Sequence, residues 1–343
     1  MGYPNDYHGC FFGRALFSDS KPESVLGGCP CGNVNSYHAR QTVGVMIKFK
    51  VNAKIDHPFY DVVVGLGLYL TGEMFKNDKI IKKDMGKEVS RLIESIEVLR
   101  GEFKKGGREA LLVVIDDCSP YKVDLTGAFD NYCIVELAEN VGIGHKENIL
   151  ETVAQDWSQF LFRFDQDVKI MGPMEPLFDA FSKVPKLFCA GINSGFIGAM
   201  MSASHKGEDY VHTPQLANGV MEWTKYFDTI GYTDPNLKYF HDLDLFYRAR
   251  DNGYETVMVM ESKGSAVASR AAGTMAYDKV QDEAKYLVES NPSLKYYISK
   301  KGLPHIQYRP LNRTGVLDPQ PIKKVPPSEL ALAIKAKVYE KRY

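Results

Sequence analysis

The segment FLFRFDQDVKI, residues 160–170, sets two carboxylates two positions apart at the end of an apolar run. On an extended chain, residues i and i+2 project to the same side. That spacing brings Asp165 and Asp167 toward one hard cation and turns Gln166 away. Magnesium and manganese take oxygen ligands and commonly combine one or two carboxylates with substrate phosphates. A second acidic pair, Asp116 and Asp117, closes the run ALLVVIDD at 110–117, and a third, Asp242 and Asp244, opens HDLDLFYRARDNGY at 241–254. Each pair also has a plain structural reading. Asp caps turns, and at a helix start it accepts backbone N–H bonds and suits the dipole.

Positioning these acids requires strands and helices in alternation, and the pattern supplies them. YDVVVGLGLYL (60–70) is continuously apolar, as a strand buried on both faces of a parallel sheet must be. KEVSRLIESIEVLRGEF (87–103) places Val89, Leu92, Ile93, Ile96 and Leu99 at helical spacing. Strands follow at 110–116 and in NYCIVELAEN (131–140), then a helix in ENILETVAQDW (147–157) and a strand in FLFRFDQD. HDLDLFYRARDNGYETVMV (241–259) gives a helix, a Gly253 stop and another strand. Alternation of this kind predicts a mostly parallel central sheet flanked by helices, with short crossovers. In such a sheet ligands sit beyond the carboxyl ends of the strands, where Asp116, Asp117, Asp165 and Asp167 fall. Acids gathered there would repel one another without a cation or hydrogen-bond donors.

Taken in order, four segments resemble the family 2 glycosyltransferases, which have the GT-A fold. VVIDDCSP looks like that family's strand ending in Asp-Asp-x-Ser, and NVGIGHKEN like its Asn-x-Gly segment with a later Asn. RFDQD looks like its metal motif, and IGYTDPNLKYFHDLDLFYRARDNGY like its acceptor-side segment. The match covers roughly residues 60–260. Three departures stand out: His241 where the family commonly has Glu, Glu147 where a basic residue usually precedes the second Asn, and no Pro-x-Tyr after the first strand. The resemblance implies an inverting transfer of a sugar from a nucleotide diphosphate, UDP foremost, to an acceptor hydroxyl. It implies Asp242 as general base, Asp165 and Asp167 as ligands of Mn2+ or Mg2+, and Asp116, Asp117, Asn140, Lys146 and Asp165 at the nucleotide sugar. The boundaries that go with it are an N-terminal extension (1–58), a glycosyltransferase domain (59–265, its nucleotide-sugar half 59–170 and its acceptor half 171–265) and a basic, helical tail (266–343).

The resemblance leaves the acceptor open. From Gly302 to Tyr343 eight basic residues stand against three acidic ones, with Tyr308, Tyr339 and Tyr343 interleaved. Such a tail could track phosphates while its rings stack on bases, which would suit an enzyme that glycosylates hydroxymethylated cytosine in double-stranded phage DNA. A solvated surface helix is the plainer reading of the tail, and a glycan or polysaccharide the main rival acceptor. Two further readings are a sugar nucleotidyltransferase, for which GLGLYLTGEMFKND is a poor Gly-rich loop, and a nucleotide-sugar binding module without catalysis. VGIGHK at 141–146 lacks the Gly-x-x-x-x-Gly-Lys-Ser/Thr of a P-loop.

Bulk composition is ordinary for a globular chain of 343 residues: 44% hydrophobic, 25% charged, net charge −1. No apolar run approaches the roughly 20 residues of a membrane helix, and the first residues lack the features of a signal peptide. With six cysteines the chain is no disulfide scaffold, so the expected setting is a reducing cytoplasm, the host's if the chain is phage-encoded. Cys118, Cys133 and Cys189 read as buried thiols. Cys10, Cys29 and Cys31, with His8 and His38, read as reduced cysteines in a Gly-rich loop, with a zinc site as the alternative.

Overall fold

The computed structural model describes residues 47–76, 79–194, 207–213, 216, 219–238, 240–266, 283, 285, 286, 289, 294–298, 304–308 and 324–341. The Cys10, Cys29 and Cys31 group lies outside them, as do His8, His38 and Tyr343.

The elements, in chain order, are β1 (Phe49–Lys54), β2 (Tyr60–Leu68), β3 (Glu73–Lys76), β4 (Lys79–Lys82), α1 (Met85–Lys105), β5 (Ala110–Asp116), β6 (Asn131–Leu137), α2 (Ile143–Trp157), β7 (Ser158–Asp165) and β8 (Val168–Gly172). They continue with α3 (Glu175–Lys183), β9 (Leu187–Asn193), β10 (Tyr210–His212), β11 (Val220–Trp223), α4 (Phe227–Ile230), α5 (His241–Asp251), β12 (Glu255–Ala266), β13 (Leu294–Ile298), β14 (Pro304–Tyr308) and α6 (Glu329–Glu340).

Ten strands form one sheet in the order β1-β6-β5-β2-β7-β11-β9-β12-β10, with β8 also paired to β12. β6, β5, β2 and β7 run parallel to one another, as do β9 and β12, while β1, β8, β10 and β11 run antiparallel to their neighbours. The expected α/β architecture, a mostly parallel central sheet flanked by helices, is present. β1, from the N-terminal segment, pairs with β6 along its whole length.

The continuous apolar strands have a simple cause: both faces of the sheet are covered. Val62, Val64 and Leu66 of β2 pack with Leu92, Ile96, Leu99 and Phe103 of α1 and Leu177 of α3. On the other face Val63 packs with Ile149, Leu150 and Val153 of α2, Leu245 and Phe246 of α5, and Ala331, Ile334 and Val338 of α6. Gly65 of β2 lets α2 sit close. A Cβ there would lie 2.9 Å from Leu161 Cδ1 and 3.3 Å from Leu150 Cδ2.

The C-terminal helix α6 is part of this body. Asn148 of α2, fully buried, donates to the carbonyls of Thr233 and Pro326 and accepts from the Ser328 N–H that opens α6. Tyr339 packs on Trp157 and donates to Asp156, which also pairs with Lys335. The expectation of a solvated helix is corrected here: its apolar face joins the core.

Two local expectations also change. Gln166 and Asp167 form a turn between β7 and β8 and do not continue the strand. Gln166 is tied to the end of β2: the Tyr69 N–H donates to its Oε1, and its Nε2 donates back to the Tyr69 carbonyl, 2.7 Å each. The extended i, i+2 argument therefore fails, and a pinned turn carries Asp167. Cys133 and Cys189 are buried, but Cys118 is only half-buried, in the left-handed region at φ 59°.

Candidate active site

The carboxyl ends of β2, β5 and β7 lie side by side. Gly67 of β2 pairs with Asp165 on one flank and with Ile115 on the other, and Leu68 pairs with Asp116. The acids that close β5 and β7 thus reach one edge of the sheet. Above that edge sits the first turn of α2, which carries His145, Lys146 and Glu147. A Cβ on Gly67 would stand 3.4 Å from three carbons of the Lys146 stem, so glycine lets that side chain cross the strand.

α5 reaches the same edge because α2 and the turn before α5 are clamped together. Gly144 packs under that turn so closely that a Cβ would lie 2.3 Å from the Leu237 carbonyl oxygen and 2.7 Å from that of Asp234. Glu151 accepts from the Thr233 N–H and hydroxyl, and Asn148 holds the Thr233 carbonyl. Glu283 accepts the N–H groups of Lys238 and Phe240 just before α5 begins. Asp242 then arrives in the first turn of α5 without serving as its cap, which is Phe240.

Glu147, Arg163, Phe164, Asp165, Gly219, Val220, His241 and Asp242 line one small, half-open cleft. At its base Arg163, in the apolar strand β7, is buried and holds three carboxylates. Its Nη1 donates to Glu147 at 2.7 Å and to Asp242 at 3.0 Å; its Nε and Nη2 donate to Glu222 Oε1 at 3.0 and 2.9 Å. His241 Nε2 lies 3.4 Å from Asp242 Oδ1.

More acid is present than Arg163 can neutralise, and proton affinities show it. Burial pushes Asp165 up to about 7, helped by Asp167, Glu147 and Asp242 and opposed by His241. Burial likewise lifts Glu222 to about 7 despite its bonds to Arg163. For Asp242 burial raises the carboxyl, but His241 and Arg163 outweigh it and hold the group below its ordinary value. Asp242 is therefore ionised at neutral pH, with Oδ1 facing Arg163 and His241 and, among the described residues, Oδ2 left for another donor.

The second acidic group sits one strand away. Asp116 accepts from the Ser119 N–H and pairs with Lys122. Asp117 is fully buried and accepts the N–H groups of Val141 and Gly142 at 2.6 and 3.1 Å. Burial raises its proton affinity, although Lys146, 3.9 Å away, pulls the other way. Asn140 is exposed and donates to the Asp117 carbonyl at 3.4 Å. Asp117 therefore fastens the loop after β6. Asn140 presents the exposed polar surface.

The sequence does not mark Arg163 or Glu222 as site residues, and it marks His241 and Glu147 only as departures from the family pattern. The signal was there: a charged residue inside an apolar strand, Arg in FLFRF or Glu in VMEW, is buried only when paired. Among the described residues no three His, Cys, Asp or Glu side chains come together as a self-sufficient metal site. Asp165 and Asp167 still fit a divalent ion of the kind that completes its shell with phosphates. Both are oxygen donors, and the acid surplus that raises Asp165 is what a cation relieves.

No family model matches this chain, and no curated protein matches its sequence. Solved structures similar to it include GalNAc-T7 with UDP, GalNAc and Mn2+ (14% identity over 68% of this chain and 52% of that one, TM-score 0.45). Another is S. aureus TarS 1-349 in complex with UDP (17% identity, 66% and 65%, TM-score 0.46). A third is the catalytic domain of Drosophila beta1,4galactosyltransferase 7 in complex with xylobiose (11% identity, 72% and 92%, TM-score 0.42). The chain spans about half of the first and just under two thirds of the second.

Proposed function

We propose that this chain is a divalent-metal-dependent, inverting glycosyltransferase of GT-A type that uses a UDP-sugar donor and Asp242 as general base. The observation that carries the reading is one cleft shared by Asp165 at the end of β7 and Asp242 at the start of α5, at the carboxyl edge of a parallel sheet. The ordered resemblance of four segments to family 2 enzymes supports it independently.

In this reading the nucleoside lies at the ends of β5 and β6. Asn140 contacts it there, while Asp116, Asp117 and Lys146 shape its pocket. Asp165 and Asp167 hold Mn2+ or Mg2+, which when bound offsets negative charge on the diphosphate. The acceptor oxygen forms a bond to the anomeric carbon as the bond from that carbon to the diphosphate oxygen breaks. The diphosphate leaves with the electron pair, and the hydroxyl proton passes to Asp242 Oδ2. A single displacement inverts the anomeric centre. Asp242 suits the role because it is ionised and open to the cleft, with 30% of its side chain exposed.

We propose a hydroxyl of an uncharged glycan as acceptor. Among the residues lining the cleft, the one Arg or Lys side chain, Arg163, is already held by three carboxylates, so the lining offers no further such cation to a run of phosphates. Of the eight basic residues that favoured DNA, Lys335 pairs with Asp156, Lys337 pairs with Glu340 and Lys324 donates to the Asp228 carbonyl. Binding of duplex DNA at low salt that falls steeply as salt rises would overturn that choice.

The decisive experiment measures hydrolysis of a panel of UDP-sugars without acceptor, with Mn2+ and with excess EDTA. Metal-dependent release of UDP and free sugar is expected. Binding without release would indicate a silent binding module, and pyrophosphate-dependent formation of UTP a nucleotidyltransferase.

A further inference from the structure

We infer that Arg163 is a positioning residue for catalysis, acting through Asp242: its guanidinium, fixed from β11 and α2, sets the orientation in which the Asp242 carboxylate meets the acceptor hydroxyl. The inference rests on the assignment of Asp242 as base and adds to it a residue whose effect on the reaction runs through that base.

The geometry divides the guanidinium into an anchored side and a working side. Nε and Nη2 converge on one oxygen of Glu222, which is fully buried on the neighbouring strand. Nη1 is held by Glu147 at 2.7 Å, a residue 5% exposed on α2. These two anchors come from elements packed into the core and fix the plane of the group. The remaining bond, from Nη1 to Asp242 Oδ1 at 3.0 Å, runs to the most exposed of the three carboxylates, which lines the cleft. Pinning Oδ1 leaves Oδ2 to receive a proton in a set direction.

A structural ion pair does not need this arrangement. One buried cation satisfied by one carboxylate and backbone carbonyls is enough, whereas three acids around a single guanidinium cost desolvation that the Coulomb attraction does not fully offset. Only Asp242 among the three is substantially exposed, at 30% of its side chain against 6% for Glu147 and 0% for Glu222. Arg is required because its rigid fork engages several acceptors at fixed angles; the lysine ammonium is a point charge on a flexible stem.

The test uses the full chain and hydrolysis of the UDP-sugar it turns over fastest, with Mn2+. Arg163→Lys is expected to lower kcat on the order of 10²-fold, the penalty of a reactive group misplaced by about 1 Å, and to leave KM for the donor unchanged. In an Asp242→Asn background the same substitution is expected to change the residual kcat no further, because the group it positions is gone. Equal falls in both backgrounds, or an undiminished kcat in Arg163→Lys, would overturn the inference. If Arg163→Lys does not fold, Glu147→Gln replaces it: it loosens one anchor, and a fall in kcat confined to the Asp242 background is again required. Full turnover by Asp242→Asn alone would remove the base assignment and this inference together. An inactive Asp242→Asn with a normal Arg163→Lys would remove only the inference.

Discussion

Asp242 and Asp244 stand two residues apart on α5, and each is bonded to an arginine, yet their surroundings are opposite. Asp244 is buried against Arg248, whose remaining donors meet the carbonyls of Ile230 and Tyr232; one cation meets one acid and nothing is in surplus. Asp242 shares Arg163 with Glu147 and Glu222, beside Asp165, and opens on a cleft. A buried pair in balance fastens one element to another. A cluster with excess acid, open on one side, is unstable on its own terms and is suited to a cationic ligand. Asp242 and Asp244 show how residues two apart in sequence can be divided between a closed buried pair and an open cleft.

The largest effect should come from the acid-rich side. Replacing Asp165 and Asp167 together by Asn, or adding EDTA, is expected to lower donor turnover on the order of 10³-fold, from the several kcal/mol a metal contributes to charge stabilisation. Secondary structure measured by circular dichroism should be unchanged. Undiminished activity in EDTA would remove the metal role from these residues.

Asp244→Asn should do the reverse. Leaving Arg248 buried without its carboxylate is expected to cost about 3–5 kcal/mol of stability in denaturant titration, while kcat per folded molecule stays unchanged. A loss of kcat without loss of stability would erase the contrast between the two pairs.

A subtler effect is a pH slope. Burial, with Glu222 nearby, raises Glu151 to about 8 in the folded chain, although Arg163 and Thr233 oppose it, against its ordinary value of 4.5. Between those values the native state holds a proton that the unfolded chain has released. This contribution is therefore fully present below about pH 4.5 and is lost as pH rises through about 8. Glu151→Gln, which keeps an oxygen for the Thr233 N–H, should flatten that decline in thermal melts; an identical slope would contradict the assignment. Smallest of all, Lys335→Ala removes a partly exposed pair with Asp156 and should change stability by about 0–1 kcal/mol.

The sequence made the acids legible because strand ends and helix starts announce themselves. Asp116, Asp117 and Asp165 close runs that can only be buried strands, and Asp242 opens a helix stopped by Gly253 at φ +74°. The partners of Arg163 were not legible. Glu147 and Glu222 lie 16 and 59 residues from it, and no local period reports such pairs. Local reasoning also failed at Gln166, where an extended strand was expected but a side chain bonded to Tyr69 makes a turn. The amphipathic face of α6 was visible, but its target, α2, was not. Asn148, the later Asn of the NVGIGHKEN segment, holds the Thr233 carbonyl, and with the close packing of Gly144 it brings α5 to the cleft.

The central claim is that Asp242 takes the acceptor's proton across a cleft built to hold a donor. Its most direct test pairs calorimetric binding of UDP in Mn2+ with the rate of UDP-sugar hydrolysis, for the native chain and for Asp242→Asn. Unchanged binding with turnover lower on the order of 10²–10⁴-fold is the predicted result. Turnover equal to the native chain's would contradict it.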